Sequence, residues 1–195
     1  MLIDIKFSRF KNLGLTEQLF DWLGSILMSV CIVAVLFSFF FTIVGVQGES
    51  MLDTLQDGDK LIVSDFMYKP KAGDIVIISR NYNNLSSDDE KNNSKDSIVK
   101  RIIATEGQEI DIRDGGVYVD GERLKEDYLN ENNQSTEPFE FRGPVTIEKG
   151  HIFVMGDNRM NSKDSRSNET GIIDEKYILG KVMLRVIPIT ELKMF

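Results

Sequence analysis

The sequence predicts a mainly β domain carried behind one N-terminal transmembrane helix. Three observations predict it. No charged side chain occurs between Asp21 and Glu49, a span longer than the roughly 20 apolar residues a helix needs to cross a bilayer core of about 30 Å. Beyond it the chain changes to short β-branched or alternating runs broken by Gly, Asp and Asn, without long helical periodicity. Between two of these runs lies Asp114-Gly115, a strong hairpin signal.

The elements follow in chain order. Residues 1–21 form a tail carrying Lys6, Arg9 and Lys11, whereas Glu49, Asp53, Asp57 and Asp59 follow the apolar run. By the positive-inside tendency the tail is cytoplasmic and the remainder extracytoplasmic. Residues 22–46 form the anchor helix. A cleaved secretory signal has an apolar core of only about 7–15 residues and a small-residue cleavage site; this run is longer, and "VGVQGES" is a poor site. Residues 47–195 form the β domain, with strands at "DKLIVSDF", "GDIVIIS", "SIVKRIIAT", "QEIDIRD", "GVYVDGERL", "HIFVMGD" and "GKVMLRVIPI". Two polar segments, near 81–97 and 130–138, read as exposed insertions without a catalytic site. At 195 residues the chain has room for one ordinary domain plus the anchor.

Composition removes several function classes. A formal net charge of −8 and no Lys/Arg cluster argue against nucleic acid as a partner. Cys31 is the only cysteine and lies inside the apolar run, which excludes an internal disulfide, a cysteine zinc site and a soluble thiol nucleophile. "DNRMNSKDS" lacks the ligand spacing and central glycine of an EF-hand, so no metal is expected, and no cofactor motif occurs. His151, the single histidine, opens the apolar strand "HIFVMG" and fits an inert edge or core position better than a triad.

Three stretches could carry chemistry. Ser50 in "GESMLDTLQDGD" follows the anchor directly. A neutral lysine can activate a serine when burial lowers the amine's pKa from near 10.4 towards the working pH. Strand alternation in "SIVKRIIAT" puts Lys100 on the face of Ile98 and Ile102, where hydrocarbon would surround it; alone, it could equally snorkel to a rim. Its neighbour Arg101 points the opposite way and cannot serve as a base. The third stretch, "GDNRMNSKDSR", carries Asp157, Arg159, Asn161, Ser162, Asp164 and Arg166 with little apolar surface. It is either a solvated loop or a buried hydrogen-bond network that holds a lysine in place.

In this order the stretches resemble the type I signal peptidases, membrane-bound serine proteases with a Ser/Lys dyad, over about residues 20–190. "GESMLDTLQDGD" is similar to the family's nucleophile box, "KAGDIVII" to its next strand, "VKRIIATEGQEI" to its lysine box and "GDNRMNSKDSR" to its most characteristic signature. The resemblance implies antiparallel sheets with a β-rich insertion between the lysine box and the last signature. It implies Ser50 as nucleophile, Lys100 as general base and Ser162 as the hydroxyl that orients the lysine. Arg101, Asp157, Asp164 and Arg166 would supply stiffening salt bridges, and the Ser50 N–H would help bind the oxyanion, since Gly48 stands where some relatives have a serine. The implied partners are the lipid bilayer and secretory preproteins with small residues at the first and third positions before the cut, held in two shallow pockets partly lined around Met51 and Leu52. Asp53, Glu106 and Gln108 depart from the family pattern, as does the wider spacing in "DSRSNETG". The expected activity is signal-peptide cleavage by a serine endopeptidase. Its competitors are a dedicated processing peptidase for one precursor, such as a pilin or toxin, and a catalytically silent export-assembly factor.

Overall fold

A computed structural model describes residues 14–52, 54–80, 97–130 and 135–195. Lys6, Arg9, Lys11, Asp53, residues 81–96 of the first polar segment and 131–134 of the second lie outside the described residues. The chain divides into two compact units, Met1–Phe41 and Thr42–Phe195.

In the first unit, α1 (Leu15–Phe40) is long and apolar enough to cross a membrane. Its 26 residues extend about 39 Å at 1.5 Å per residue. Trp22, Leu27, Val33 and Phe39 are exposed along it, as a lipid-facing surface requires. The hydroxyls of Ser25 and Ser29 donate to the carbonyls four residues earlier, at 2.9 and 2.8 Å, so neither polar atom is left bare. This helix differs from the expected 22–46 at both ends. Asp21 marks a change in polarity but does not interrupt helical hydrogen bonding, and the helix starts seven residues before 22, with Glu17 accepting the Gly14 N–H. At the other end Phe41 is extended, and the β-branched Thr42-Ile43-Val44 enters a strand.

That strand, β1 (Thr42–Gly45), opens the second unit and pairs with β2 (Lys60–Ser64). There follow β3 (Ile75–Ser79), β4 (Ser97–Thr105), β5 (Glu109–Arg113), β6 (Gly116–Val119) and β7 (Glu122–Arg123). The last five are β8 (Val145–Thr146), β9 (His151–Met155), β10 (Ile173–Asp174), β11 (Ile178–Ile187) and β12 (Lys193–Met194). One sheet runs β1-β2-β11-β3-β4-β9-β10, with β12 on β11; a second runs β7-β6-β5-β8. Every pairing is antiparallel.

The seven expected strand segments are all present, and "GVYVDGERL" is two strands. Asp120 and Gly121 both have positive φ, 53° and 81°, as do Asp114 and Gly115 at 50° and 70°. Two consecutive positive φ values suit two-residue hairpin loops, so β5-β6 and β6-β7 each turn on an Asp-Gly pair. Strand β3 is buried on both faces: Ile75 and Ile77 join Met51, Leu55 and Leu61 in one apolar cluster, while Val76 and Ile78 join Ile102 and Val154 in another. A third cluster, around Ile103, Ile110, Val117 and Phe153, joins the two sheets. The site lies where β4, central in the large sheet, meets the turn after β1.

Candidate active site

Ser50 sits in a tight turn anchored from beneath. Gly48, at φ 86°, lets the chain reverse after β1, and its N–H donates to Asp57 Oδ1 at 2.8 Å. The N–H groups of Leu52, Thr54 and Leu55 close the turn onto Glu49 and Met51 carbonyls, and the buried Met51 and Leu55 fix it in the core. From the other side Asn158 grips it: its N–H donates to Ser50 O at 3.0 Å and its side-chain amide to Glu49 O at 3.0 Å.

Lys100 arrives from β4, opposite Val76 on β3, and only 3% of it is exposed. Its Nζ donates to Ser50 Oγ at 2.7 Å. Desolvation by burial lowers the amine from 10.5 to about 8, and Arg80 and Arg166 add to the lowering, against the opposing carboxylates of Asp164 and Asp157. A lysine snorkelling to a rim would keep its hydration and its ordinary pKa. Lys100 has lost both. Ser50 and Lys100 open onto a cleft of about 370 Å³ lined by Val44, Val46, Met51, Ile98 and Val99 and rimmed by Glu49, Arg80 and Lys163. Met51 lines this cleft and Leu52 does not; residues of β1 and β4 supply much of the rest of its wall.

Asp157, Arg159, Asp164 and Arg166 of the polar signature form a buried network, whereas Asn161 and Lys163 are exposed. Arg101 grips Asp157 with two hydrogen bonds, Nε at 2.8 Å and Nη2 at 2.6 Å, and also donates to Gly73 O. The same carboxylate accepts from Thr54 Oγ1 at 2.6 Å. One carboxylate therefore ties the serine's turn to the lysine's strand. Asp164 is held by Arg166 through Nε and Nη2, each at 2.8 Å, and by the Gly156 N–H at 3.0 Å. Burial opposes its ionisation, yet Arg166 and these hydrogen bonds leave it below the usual carboxylate range. Gly156 is required by close approach, because a Cβ there would collide with Ser50 O and Ser162 Oγ.

Ser162 departs from expectation. Among the described residues its buried Oγ has no hydrogen-bond partner, and Lys100 donates instead to Ser50. The Ser162 hydroxyl lies close enough to favour ionised Asp164 but lacks hydrogen-bond geometry. In the second polar segment Ser135 and Glu137 are exposed, but Thr136 is fully buried and its hydroxyl accepts from Arg159 Nη1 at 2.8 Å, because a buried guanidinium needs acceptors. His151 is remote from this chemistry; its Nδ1 faces the Lys149 carbonyl at 3.0 Å.

Several residues of the network carry no role in the sequence reading. Arg159, wholly buried, joins Gly156 O, Thr136 and Glu126; its place within "GDNRMNSKDSR" was the available signal. Thr54 gave only its nearness to Ser50, and Tyr128, stacked on Arg101, gave none. Gln108 caps the β4-β5 turn by accepting the Thr105 N–H at 3.0 Å, and Glu106 ties that turn to the one before β9 by accepting the Gly150 N–H at 3.0 Å.

The family profile described as signal peptidase, peptidase S26, matches residues 19–187. Signal peptidase I of Bacillus licheniformis is 35% identical over 94% of this chain and 96% of its own length. Signal peptidase I T of Bacillus subtilis (strain 168) is 34% identical over 91% and 90%, and signal peptidase IB of Staphylococcus aureus (strain Mu50 / ATCC 700699) 32% identical over 91% and 94%. A crystal structure of a signal peptidase I from Enterococcus faecalis V583 aligns with a TM-score of 0.44 at 25% identity, over 58% of this chain and 97% of that one. With the match spanning α1 through β11, and relatives aligned over nine-tenths of their own length, this chain belongs to the signal peptidase family, peptidase S26.

Proposed function

We propose that this chain is a membrane-anchored serine endopeptidase that removes signal peptides from exported preproteins, with Ser50 as nucleophile and Lys100 as general base. The observation that carries the reading is the 2.7 Å contact between Lys100 Nζ and Ser50 Oγ at the floor of the cleft. At that separation a neutral amine accepts the hydroxyl proton as Oγ attacks the scissile carbonyl. The resulting acyl-enzyme retains the signal peptide, and the proton passes from Lys100 to the departing amine. Water, activated by the same amine, then hydrolyses the ester. The Ser50 N–H, which makes no backbone hydrogen bond among the described residues, would donate to the developing oxyanion. Arg101, Asp157, Asp164 and Arg166 hold the two reacting groups in register.

The small volume of the cleft and its Val, Ile and Met walls favour preproteins with small residues before the cut. An anchored preprotein meets an anchored nucleophile at high effective concentration. We assign the residues before α1 to the cytoplasm and the second unit to the outside. A scaffold that only binds substrate has no use for a desolvated lysine against a serine, which disfavours the silent assembly factor. The test is to incubate the detergent-solubilised full chain with a secretory precursor and sequence the product's new N-terminus. Cleavage at the signal junction by the wild type and none by Ser50→Ala is expected; equal cleavage by both would refute the assignment.

A further inference from the structure

The loop 124–130 leaves the small sheet after β7 and reaches the back of the network. There Tyr128 lays its ring over the Arg101 guanidinium, 3.9 Å from the ring centroid. Its hydroxyl donates to Glu126 Oε1 at 2.9 Å and accepts from Arg159 Nη2 at 3.3 Å. Burial and the Glu126 carboxylate hold the phenol well above its usual pKa, so it stays neutral. Three of the five N–H donors of Arg101 go to Asp157 and Gly73 O, and the Tyr128 ring covers one face of the guanidinium.

We propose that Tyr128 is a positioning residue for the Ser50–Lys100 pair: its ring keeps water from the Arg101–Asp157 ion pair and thereby fixes the β4 segment that presents Lys100 to Ser50. The proposal rests on the reading of those two residues as nucleophile and base. A wet guanidinium face raises the local dielectric and weakens the pair. Asp157 also holds Thr54, so a loosened carboxylate disturbs the serine's turn as well. Around Lys100 the charged groups are Asp164 and Asp157, which favour its protonated form, and Arg80 and Arg166, which disfavour it. Glu49 and Lys163 stand at the cleft rim, and Arg101 is the next residue on the strand. Water admitted behind Arg101 relaxes the desolvation of this cluster, which moves the Lys100 amine up towards its ordinary value.

The experiment measures kcat and KM against pH for the full chain in detergent micelles, comparing wild type, Tyr128→Phe and Tyr128→Leu. Phenylalanine keeps the π face and should stay within about threefold of wild type; leucine should lose about tenfold in kcat with little change in KM. The acid limb, near pH 8 in the wild type, should move to higher pH in Tyr128→Leu only. A merely structural tyrosine would lower the folded fraction without moving that limb. If Tyr128→Leu does not fold, Tyr128→Met, whose unbranched chain leaves part of the guanidinium face open to water, takes its place, and the limb should move to higher pH there too. An unmoved limb in the folded leucine or methionine variant overturns the proposal. A wild type with no acid limb, or an active Ser50→Ala, overturns the dyad and this proposal with it; a normal limb unaffected at position 128 overturns this proposal alone.

Discussion

Lys100→Arg separates a general base from a mere cation. Arginine keeps the charge and much of the length, so a lysine that only orients substrate or pairs with a carboxylate would be partly replaced. A base must lose its proton. With the amine lowered to about 8, roughly a tenth of the Lys100 side chains are neutral at pH 7, against about 0.03% at 10.5. A guanidinium with a pKa above about 12 is neutral in fewer than about one molecule in 10⁵ at that pH, so the base-dependent rate should fall by roughly four orders of magnitude. The assay is single-turnover cleavage of a radiolabelled precursor in micelles, followed by gel and N-terminal sequencing, between pH 6 and 10. Wild-type cleavage should decline as pH drops below about 8, and Lys100→Arg should stay at background throughout. A variant retaining more than about one hundredth of the wild-type rate would refute the base role, since the drop would fall well short of the four orders calculated.

The remaining predictions concern stability and topology. Burying an amine whose pKa falls from 10.5 to about 8 costs the folded state about 3 kcal/mol while the group is charged. Below pH 8 both folded and unfolded chains hold the proton and the cost is present in full; between about 8 and 10.5 only the unfolded chain holds it, so stability rises with pH across that window. Lys100→Met should therefore be inactive yet more stable at pH 7 by up to about 3 kcal/mol, with the advantage over wild type vanishing by pH 10.5 in denaturant titrations. Gly156→Ala should destabilise by about 1–3 kcal/mol and slow cleavage, because its methyl displaces Ser50 O and Ser162 Oγ; unchanged denaturation and kinetics would contradict the close approach. Protease added outside intact cells should digest the chain beyond residue 49 and spare the tail before residue 20, as a tagged N-terminus on immunoblot would reveal.

The sequence disclosed elements whose cause is local. Uncharged residues announced α1, Asp114-Gly115 announced the β5-β6 hairpin, and alternation placed Lys100 with Ile98 and Ile102, whereas the Asp120-Gly121 hairpin lay hidden inside a run read as one strand. It missed β1, because Thr42-Ile43-Val44 is as apolar as the helix before it and only pairing with β2 distinguishes the two. It missed β8, β10 and β12, two-residue strands defined by their partners. Within the site, residues in short motifs were legible as a group, whereas Tyr128, 27 residues after Arg101, acquires its place only when the small sheet folds back. Ser162 shows the opposite limit: its motif suggested a bond to Lys100, and the geometry instead sets its hydroxyl against Gly156.

Asp157 receives Thr54 from the serine's turn and Arg101 from the lysine's strand, and the following residue grips Ser50 itself. Both members of the proposed pair thus depend on one dipeptide, so an opening at 157–158 would release the serine's turn and the lysine's strand together.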